Sequence, residues 1–424
     1  MPRDEIYLEP EKELEVYGHY DVVIVGGGCA GITASIAAAR NGAKTLIIER
    51  FPFFGGTATA SLMGNINGFR NQVEPDSLQT TKGIGEEIIL RLIEIGGVGK
   101  PPAVYSSKIY PNTKGKLSYC FAVDIEKFKY ITLLTVRNAG VDILFHTYFA
   151  EVIADDNALK GIIIENKSGR QAIFAKVIID ASGDGDVAFR AGVPFWQTKG
   201  NERHRLTDCL MYKVVGVPEN HQIKGCESNG SVILWGPDAG PIDATNAHEL
   251  TEGEIHTRLR VYENLKEQQE NNSDLKEARV VETGPLLGIR QTRFIKGLYT
   301  LSGDDVIQGR RFDDSVAMAS SPVIHYYGYR RFLEHEGYEI PYRCMLPQGV
   351  DNLIVSGRCI SSDQIAYESW RAMAHVMAIG EAAGTAAALS VKQHAEPKDL
   401  NIQTLQKQLV EQGAEIGQGR KQRN

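Results

Sequence analysis

The 424-residue sequence holds six cysteines and no C-x-x-C pair. Cys29, Cys120, Cys209, Cys226, Cys344 and Cys359 are scattered, which argues against a zinc site, a redox dithiol or an iron–sulfur cluster, and no other metal-ligand set is predicted. Reduced thiols of a cytoplasmic protein are the expectation. Also missing is any uninterrupted apolar run of about 18 residues, so no membrane span is expected. The opening "MPRDEIYLEPEKELEVYGHY" is acidic and has no apolar centre, unlike a signal peptide. Long basic runs are absent as well. Net charge is −7, and the one basic cluster, the tail "GRKQRN", reads as a solvated end. Nucleic acid is therefore not an expected partner. No internal repeat appears.

What is present begins at "YDVVIVGGGCAGITASIAAARNGAKTLIIER". Val22, Val23, Ile24 and Val25 form the continuous apolar run of a buried parallel strand. An Ala-rich helix follows and stops at Asn41–Gly42; a second apolar run, Thr45 to Ile48, ends at Glu49. This is a βαβ unit with a G-x-G-x-x-G turn. Gly26 permits the tight turn, Gly28 leaves room for a pyrophosphate, and Gly31 lets the helix pack on the strand. The helix N-terminus offers unpaired N–H groups to phosphates. Glu49 lies 18 residues after Gly31, where a carboxylate accepts from a ribose. A merely structural glycine turn explains the glycines but not Glu49.

Further along, "GIGEEIILRLIEIGGVG" and "VDIEKFKYITLLTVRNAG" predict amphipathic helices, the second with Asp124 near its start. The runs "VDILFHTYFAEVIA", "LKGIIIEN" and "QAIFAKVIIDASG" predict an antiparallel meander whose last strand, Val177 to Asp180, returns to the parallel sheet. The pattern then becomes more charged and loses its βαβ character, and resumes at "NLIVSGRCISS" and "SWRAMAHVMAIGEAAGTAAALSV". The expected organisation is a discontinuous first domain, residues 1–194 and 346–424, flanking an α+β substrate domain, residues 195–345.

Three glycine turns follow apolar strands: Gly26–Gly31, "DASGDGD" and "SGRCIS". A long dinucleotide held extended needs contacts beyond one βαβ turn, and no second fingerprint for a nicotinamide cofactor is present. FAD is the expected cofactor; a nicotinamide enzyme using the single turn for NAD is the alternative that a colourless protein would favour.

The quoted segments, together with "FFGGTAT", "KVIIDASGDGDVAFRAGV", "IRQTRF" and "IPYRCMLPQGVDNLIVSGRCISS", resemble the FAD-dependent oxidoreductases related to the heterodisulfide reductase A flavoprotein subunit, and more distantly fumarate reductase flavoproteins. The resemblance runs over roughly residues 20–417. It implies an α/β, Rossmann-like FAD-binding domain of glutathione-reductase type. It implies that Gly26, Gly28, Cys29, Ala30 and Gly31 hold the pyrophosphate and Glu49 the adenosine ribose. Arg50, Gly55, Gly56 and Thr57 match the loop toward the flavin, and Phe149 or Ala150 an adenine contact. Ala181, Ser182 and Gly183 match the turn on the pyrophosphate side, and Gly357 and Arg358 the ribityl turn. Arg371 and Ala372 open the last helix, whose N–H groups face the N1–C2=O edge, where reduced flavin carries negative charge.

For the chemistry, Arg290 and Arg293 match the family's arginine-rich segment; a guanidinium suits a carboxylate clamp, or else pairs structurally with an interface acid. His325 matches a histidine often found in the family, although Val323 and Ile324 stand where an acid commonly precedes it. Tyr342 and Arg343 match a segment near the cofactor, and Tyr367 precedes the last helix. His375, Met373 and Met377 read as packing residues. The leading expectation is hydride transfer between flavin N5 and a small organic substrate at an alcohol or amine carbon. Alternatives are reduction of an activated C=C bond, or an electron-transfer flavoprotein with no substrate of its own. The electron donor or acceptor and the oligomeric state, a homo-oligomer included, stay open.

Overall fold

The computed structural model describes residues 6–73, 77–99, 119–198, 207–221, 223, 226–228, 230–324 and 330–417. The strand Glu15–Val25 lies at the centre of a seven-stranded sheet. It pairs in parallel with Thr45–Ile48 on one side and Gly169–Asp180 on the other, and Thr45–Ile48 pairs in parallel with Asp142–Leu144. Val22, Val23 and Ile24 are wholly buried, as their unbroken apolar run requires.

Gly169–Asp180 serves two neighbours along one edge. Its first half pairs antiparallel with Ala158–Asn166, which pairs with Tyr148–Asp155 to give the meander. Its second half, Ile178 to Asp180, pairs in parallel with Leu353–Val355. Asn352 stands in the fork. Its carboxamide accepts from Leu159 N at 2.8 Å and donates to Leu159 O at 2.6 Å and Lys176 O at 2.9 Å, which substitutes for the missing ladder bonds.

One face of the sheet is covered by Cys29–Arg40 and Met373–Gln393. These two helices approach backbone to backbone. A Cβ on Gly380 would stand 2.2 Å from Ala30 O, and one on Gly384 2.0 Å from Ala34 O. Thr33 Oγ1 donates to Met377 O at 2.7 Å across the seam. Met373–Gln393 is long and apolar enough to cross a membrane by length and composition, yet it lies buried in this core. The predicted helices appear as Ile84–Glu94 and Ile125–Asn138; Asp124 caps the latter by accepting from Glu126 N and Lys127 N.

A second apolar cluster draws on residues 210–289. Its antiparallel sheet runs in the order Cys226–Ser228, Ser231–Leu234, Tyr212–Val215, Arg279–Thr283, and it packs against Ala247–Leu259 and Val261–Asn271. The charged segment "AHELTEGEIHTRLRVYENLKEQQENN" thus forms two helices, divided at Arg260. Phe294, Leu301, Val316, Tyr338, Ile340 and Leu346 join the first cluster.

Candidate cofactor and active site

The chain between Val25 and the first helix turns tightly at Gly26. Gly26 adopts φ +104°, and a Cβ there would meet Ala181 O at 2.5 Å. A Cβ on Gly31 would stand 1.8 Å from Gly26 O, so only glycine lets this helix seat on its strand. Gly28 differs: the nearest atom to a Cβ there is 3.9 Å away, and its free side is open space. Gly28 is the N-cap of Cys29–Arg40 and supplies no side chain, so the first N–H groups of the helix remain available for an anion.

Glu49 buttresses this turn. Its Oε2 accepts from Gly27 N at 2.6 Å and its Oε1 from Phe51 N at 3.0 Å, while burial raises its pKa. Gly55 N donates to Gly27 O at 2.9 Å and locks the loop of Gly55, Gly56 and Thr57 against the glycine turn. Ala181 N donates to Val25 O at 2.9 Å, which brings the second turn alongside; the buried Asp180 holds it by accepting from Ser182 N, Ser182 Oγ and Ala188 N. Arg358, in the third turn, donates to the Asp184 carboxylate and to Ile289 O. Burial alone would raise Asp184, but the Arg358 charge and hydrogen bond hold it below the usual carboxylate range. Desolvation and the neighbouring charges of Asp184 and Asp180 push the half-exposed Asp186 up to about 6.

All three turns line one cavity of about 940 Å³. Gly26, Gly28, Cys29, Ala30, Glu49, Arg50, Gly55, Gly56, Thr57, Ala181, Ser182, Gly183, Gly357, Arg358, Arg371 and Ala372 are all in its wall. Gly31 lies one step behind it. Ala372 caps Met373–Gln393 without a side-chain hydrogen bond, so a second helix start faces the same space. Beyond the glycine turns the cavity runs into an apolar arm of Met63, Met211, Trp235, Leu250, Leu286 and Ile289.

The remaining predicted residues divide. Arg290 lines the arm: its Nε donates to Thr207 O at 2.7 Å, its guanidinium lies 5.2 Å from the Trp235 ring centroid, and no described carboxylate forms an ion pair with it. Arg293 borders the cavity but is tied to Asp186 at 2.9 Å and to Asp184 O at 3.0 Å, the structural pairing weighed above. Tyr367 lines the cavity and donates to Arg290 O. Phe149 and Ala150 sit on Tyr148–Asp155 and are not among the lining residues. Tyr342 and Arg343 are not brought to the cavity either. Tyr342 is buried with its hydroxyl on Pro397 O at 3.1 Å, and Arg343 pairs outward with Asp314 at 2.8 Å. His325 lies outside the described residues. His375 packs between Ser320 N and Trp370 O, and burial lowers its pKa to about 4. Burial pushes the Cys29 thiol up to about 12, which leaves it unreactive as a nucleophile.

Among the wall groups that the sequence did not point to are Asn65 and Asn67, on the strand Asn65–Asn67, and Glu368, 1% exposed on Gln364–Trp370. The alternation in "NIN" is the one available signal for the first two; nothing local distinguishes Glu368.

An open Gly28, two uncapped helix starts, a buried acid in the cavity wall and three convergent turns fit an elongated dinucleotide and define a flavin-binding oxidoreductase. The chain belongs to the FAD dependent oxidoreductase family, whose model matches residues 21–231 and 197–409. FAD is its cofactor. Among curated relatives, digeranylgeranylglycerophospholipid reductase 2 of Methanothermobacter thermautotrophicus is 27% identical over 223 residues, 51% of this chain and 53% of the relative. The tRNA uridine 5-carboxymethylaminomethyl modification enzyme of Alkaliphilus metalliredigens is 28% identical over 178 residues, 39% of this chain and 24% of the relative. The chain thus spans about half the length of the first and a quarter of the second. A solved geranylgeranyl bacteriochlorophyll reductase-like protein from Thermoplasma acidophilum covers 94% of this chain and 84% of its own at 16% identity, with a TM-score of 0.49.

Proposed function

We propose that this oxidoreductase passes a hydride between FAD and a small organic substrate seated in the apolar arm, at a carbon bearing a hydroxyl or amine. The observation that carries the reading is the continuity of the cradle with that arm: one cavity holds the three glycine turns at one end and Arg290 over Trp235 at the other. Bound FAD supplies two-electron chemistry at N5. The side chains do the rest. Met211, Leu250, Leu286 and Ile289 exclude water from the reacting carbon and hold an apolar body. Arg290, steadied by Thr207 O and the Trp235 face, takes an anionic or carbonyl group of the substrate. His325 is proposed as the proton acceptor or donor that accompanies hydride transfer.

A second reading, saturation of an activated C=C bond, is favoured by the reductase names of several relatives, among them the digeranylgeranylglycerophospholipid reductases. An electron-transfer role without a substrate leaves the apolar arm without a purpose. We further place the chain near the heterodisulfide reductase A flavoprotein subunit and in the glutathione-reductase type of FAD fold, with an inserted substrate domain that falls within residues 195–345 and centres on the cluster of residues 210–289. Its setting is the cytoplasm, and its partners are a small-molecule substrate and a separate electron donor or acceptor, with neither nucleic acid nor a membrane span involved.

The test is anaerobic. Candidate alcohols, amines and unsaturated acids are mixed with the yellow holoprotein, or with its dithionite-reduced form, and the visible absorbance of oxidised flavin is followed. Bleaching by an alcohol or amine supports the first reading; re-oxidation by an unsaturated compound supports the second. His325→Ala that keeps the full rate of flavin reduction removes His325 from the chemistry.

A further inference from the structure

We propose that the carboxamides of Asn65 and Asn67 read the pyrimidine edge of the flavin ring. Along the strand Asn65–Asn67 the central Ile66 is wholly buried in the core, while the residues on either side face the cavity, as strand alternation dictates. Neither carboxamide makes a side-chain hydrogen bond among the described residues, and Asn65 Oδ1 is shielded from solvent as well. A carboxamide so placed costs on the order of 1–3 kcal/mol unless a ligand satisfies it. Tyr119 and Ser321, nearby in the wall, already meet each other at 3.1 Å.

Position points to the ring rather than to the apolar arm. The strand is followed by Gly68, where an added Cβ would fall 3.1 Å from Ala372 Cβ and 2.8 Å from His375 Nε2. Asn67 therefore stands beside the uncapped start of Met373–Gln393. That helix start offers donors alone. The pyrimidine edge presents an acceptor, a donor and an acceptor in sequence: C2=O, N3–H and C4=O. Helix N–H groups serve the first; N3–H needs an acceptor and C4=O a further donor. A carboxamide supplies both from one planar group, and two of them stand in the wall. Hydrogen bonds to the ring carbonyls strengthen as the reduced ring takes up negative charge, so the pair also raises the flavin midpoint potential.

The test needs no substrate. Flavin-stripped protein is titrated with FAD and, separately, with ADP, which shares the pyrophosphate and adenosine but lacks the ring. Asn65→Leu and Asn67→Leu are each expected to weaken FAD by about tenfold, the loss of one net hydrogen bond, with ADP affinity unchanged. Asn67→Asp is expected to keep FAD but lower its midpoint potential, because a carboxylate opposes the charge of the reduced ring. The proposal is overturned if FAD affinity and potential match wild type in all three variants, as they would if these groups met substrate alone. It is equally overturned if ADP is weakened as much as FAD.

Discussion

Glu381 offers a quantitative handle on the core that carries the cofactor. It lies on Met373–Gln393, 1% exposed, and its Oε2 accepts from Ile84 N at 2.8 Å, capping the helix Ile84–Glu94 from a neighbouring element. Its Oε1 has no hydrogen-bond partner. Burial is the dominant cause that lifts its pKa from 4.5 to about 7; the Ile84 N–H and the Arg40 charge pull the other way without prevailing. The sign follows from proton linkage. Between these two values the folded chain binds a proton that the unfolded chain has released, so stability falls as pH rises through that window. The full difference amounts to about 3 kcal/mol. Glu381→Gln removes the titration and keeps an acceptor for Ile84. At fixed FAD concentration, denaturant unfolding of both proteins from pH 5 to pH 8, which spans most of that window, should show the variant gaining about 2–3 kcal/mol relative to wild type between the two ends. That gain corresponds to roughly 3 °C in Tm for a chain of this length. Because Glu49, Asp180 and Asp186 also titrate high, the difference between the two proteins is the quantity to read. A difference that stays constant across the range refutes the reasoning.

Other outcomes follow from the same geometry. Gly31→Ala should abolish FAD retention, because its Cβ would stand 1.8 Å from Gly26 O; the purified protein's flavin absorbance reports it. Asp184→Asn should weaken FAD at least tenfold by releasing Arg358 and Thr292, measurable by fluorescence titration. Arg290→Ala should slow flavin reduction by substrate on the order of 100-fold while leaving the flavin spectrum intact. Arg343→Ala should change neither rate nor spectrum and cost at most about 1 kcal/mol, because its Asp314 pair lies at the surface.

The cofactor cradle was largely legible in the sequence because its determinants are local. An unbroken apolar run, glycines at fixed offsets and an acid at the next strand end are all carried within about 30 residues. The turns at Gly183 and Gly357 were legible for the same reason. Roles set by distant partners were not. Arg290 and Arg293 sit three apart in "IRQTRF", yet one faces Trp235 in the arm and the other is claimed by Asp186, 107 residues away. Tyr342 and Arg343 lie close to the cradle in sequence, but a short 3-10 turn, Tyr342–Cys344, directs them to Pro397 and Asp314. Asn65 and Asn67 occupy a strand too short for alternation to stand out from composition.

The backbone-tight seam between the first and last long helices bears on how the protein is made. Thr33 and Met377 are 344 residues apart. A chain still emerging from the ribosome has its glycine turn early, but lacks the partner that completes the cradle until Met373–Gln393 has been made. Tight flavin retention should therefore wait for that helix, and a product cut short before it should fail to hold the cofactor.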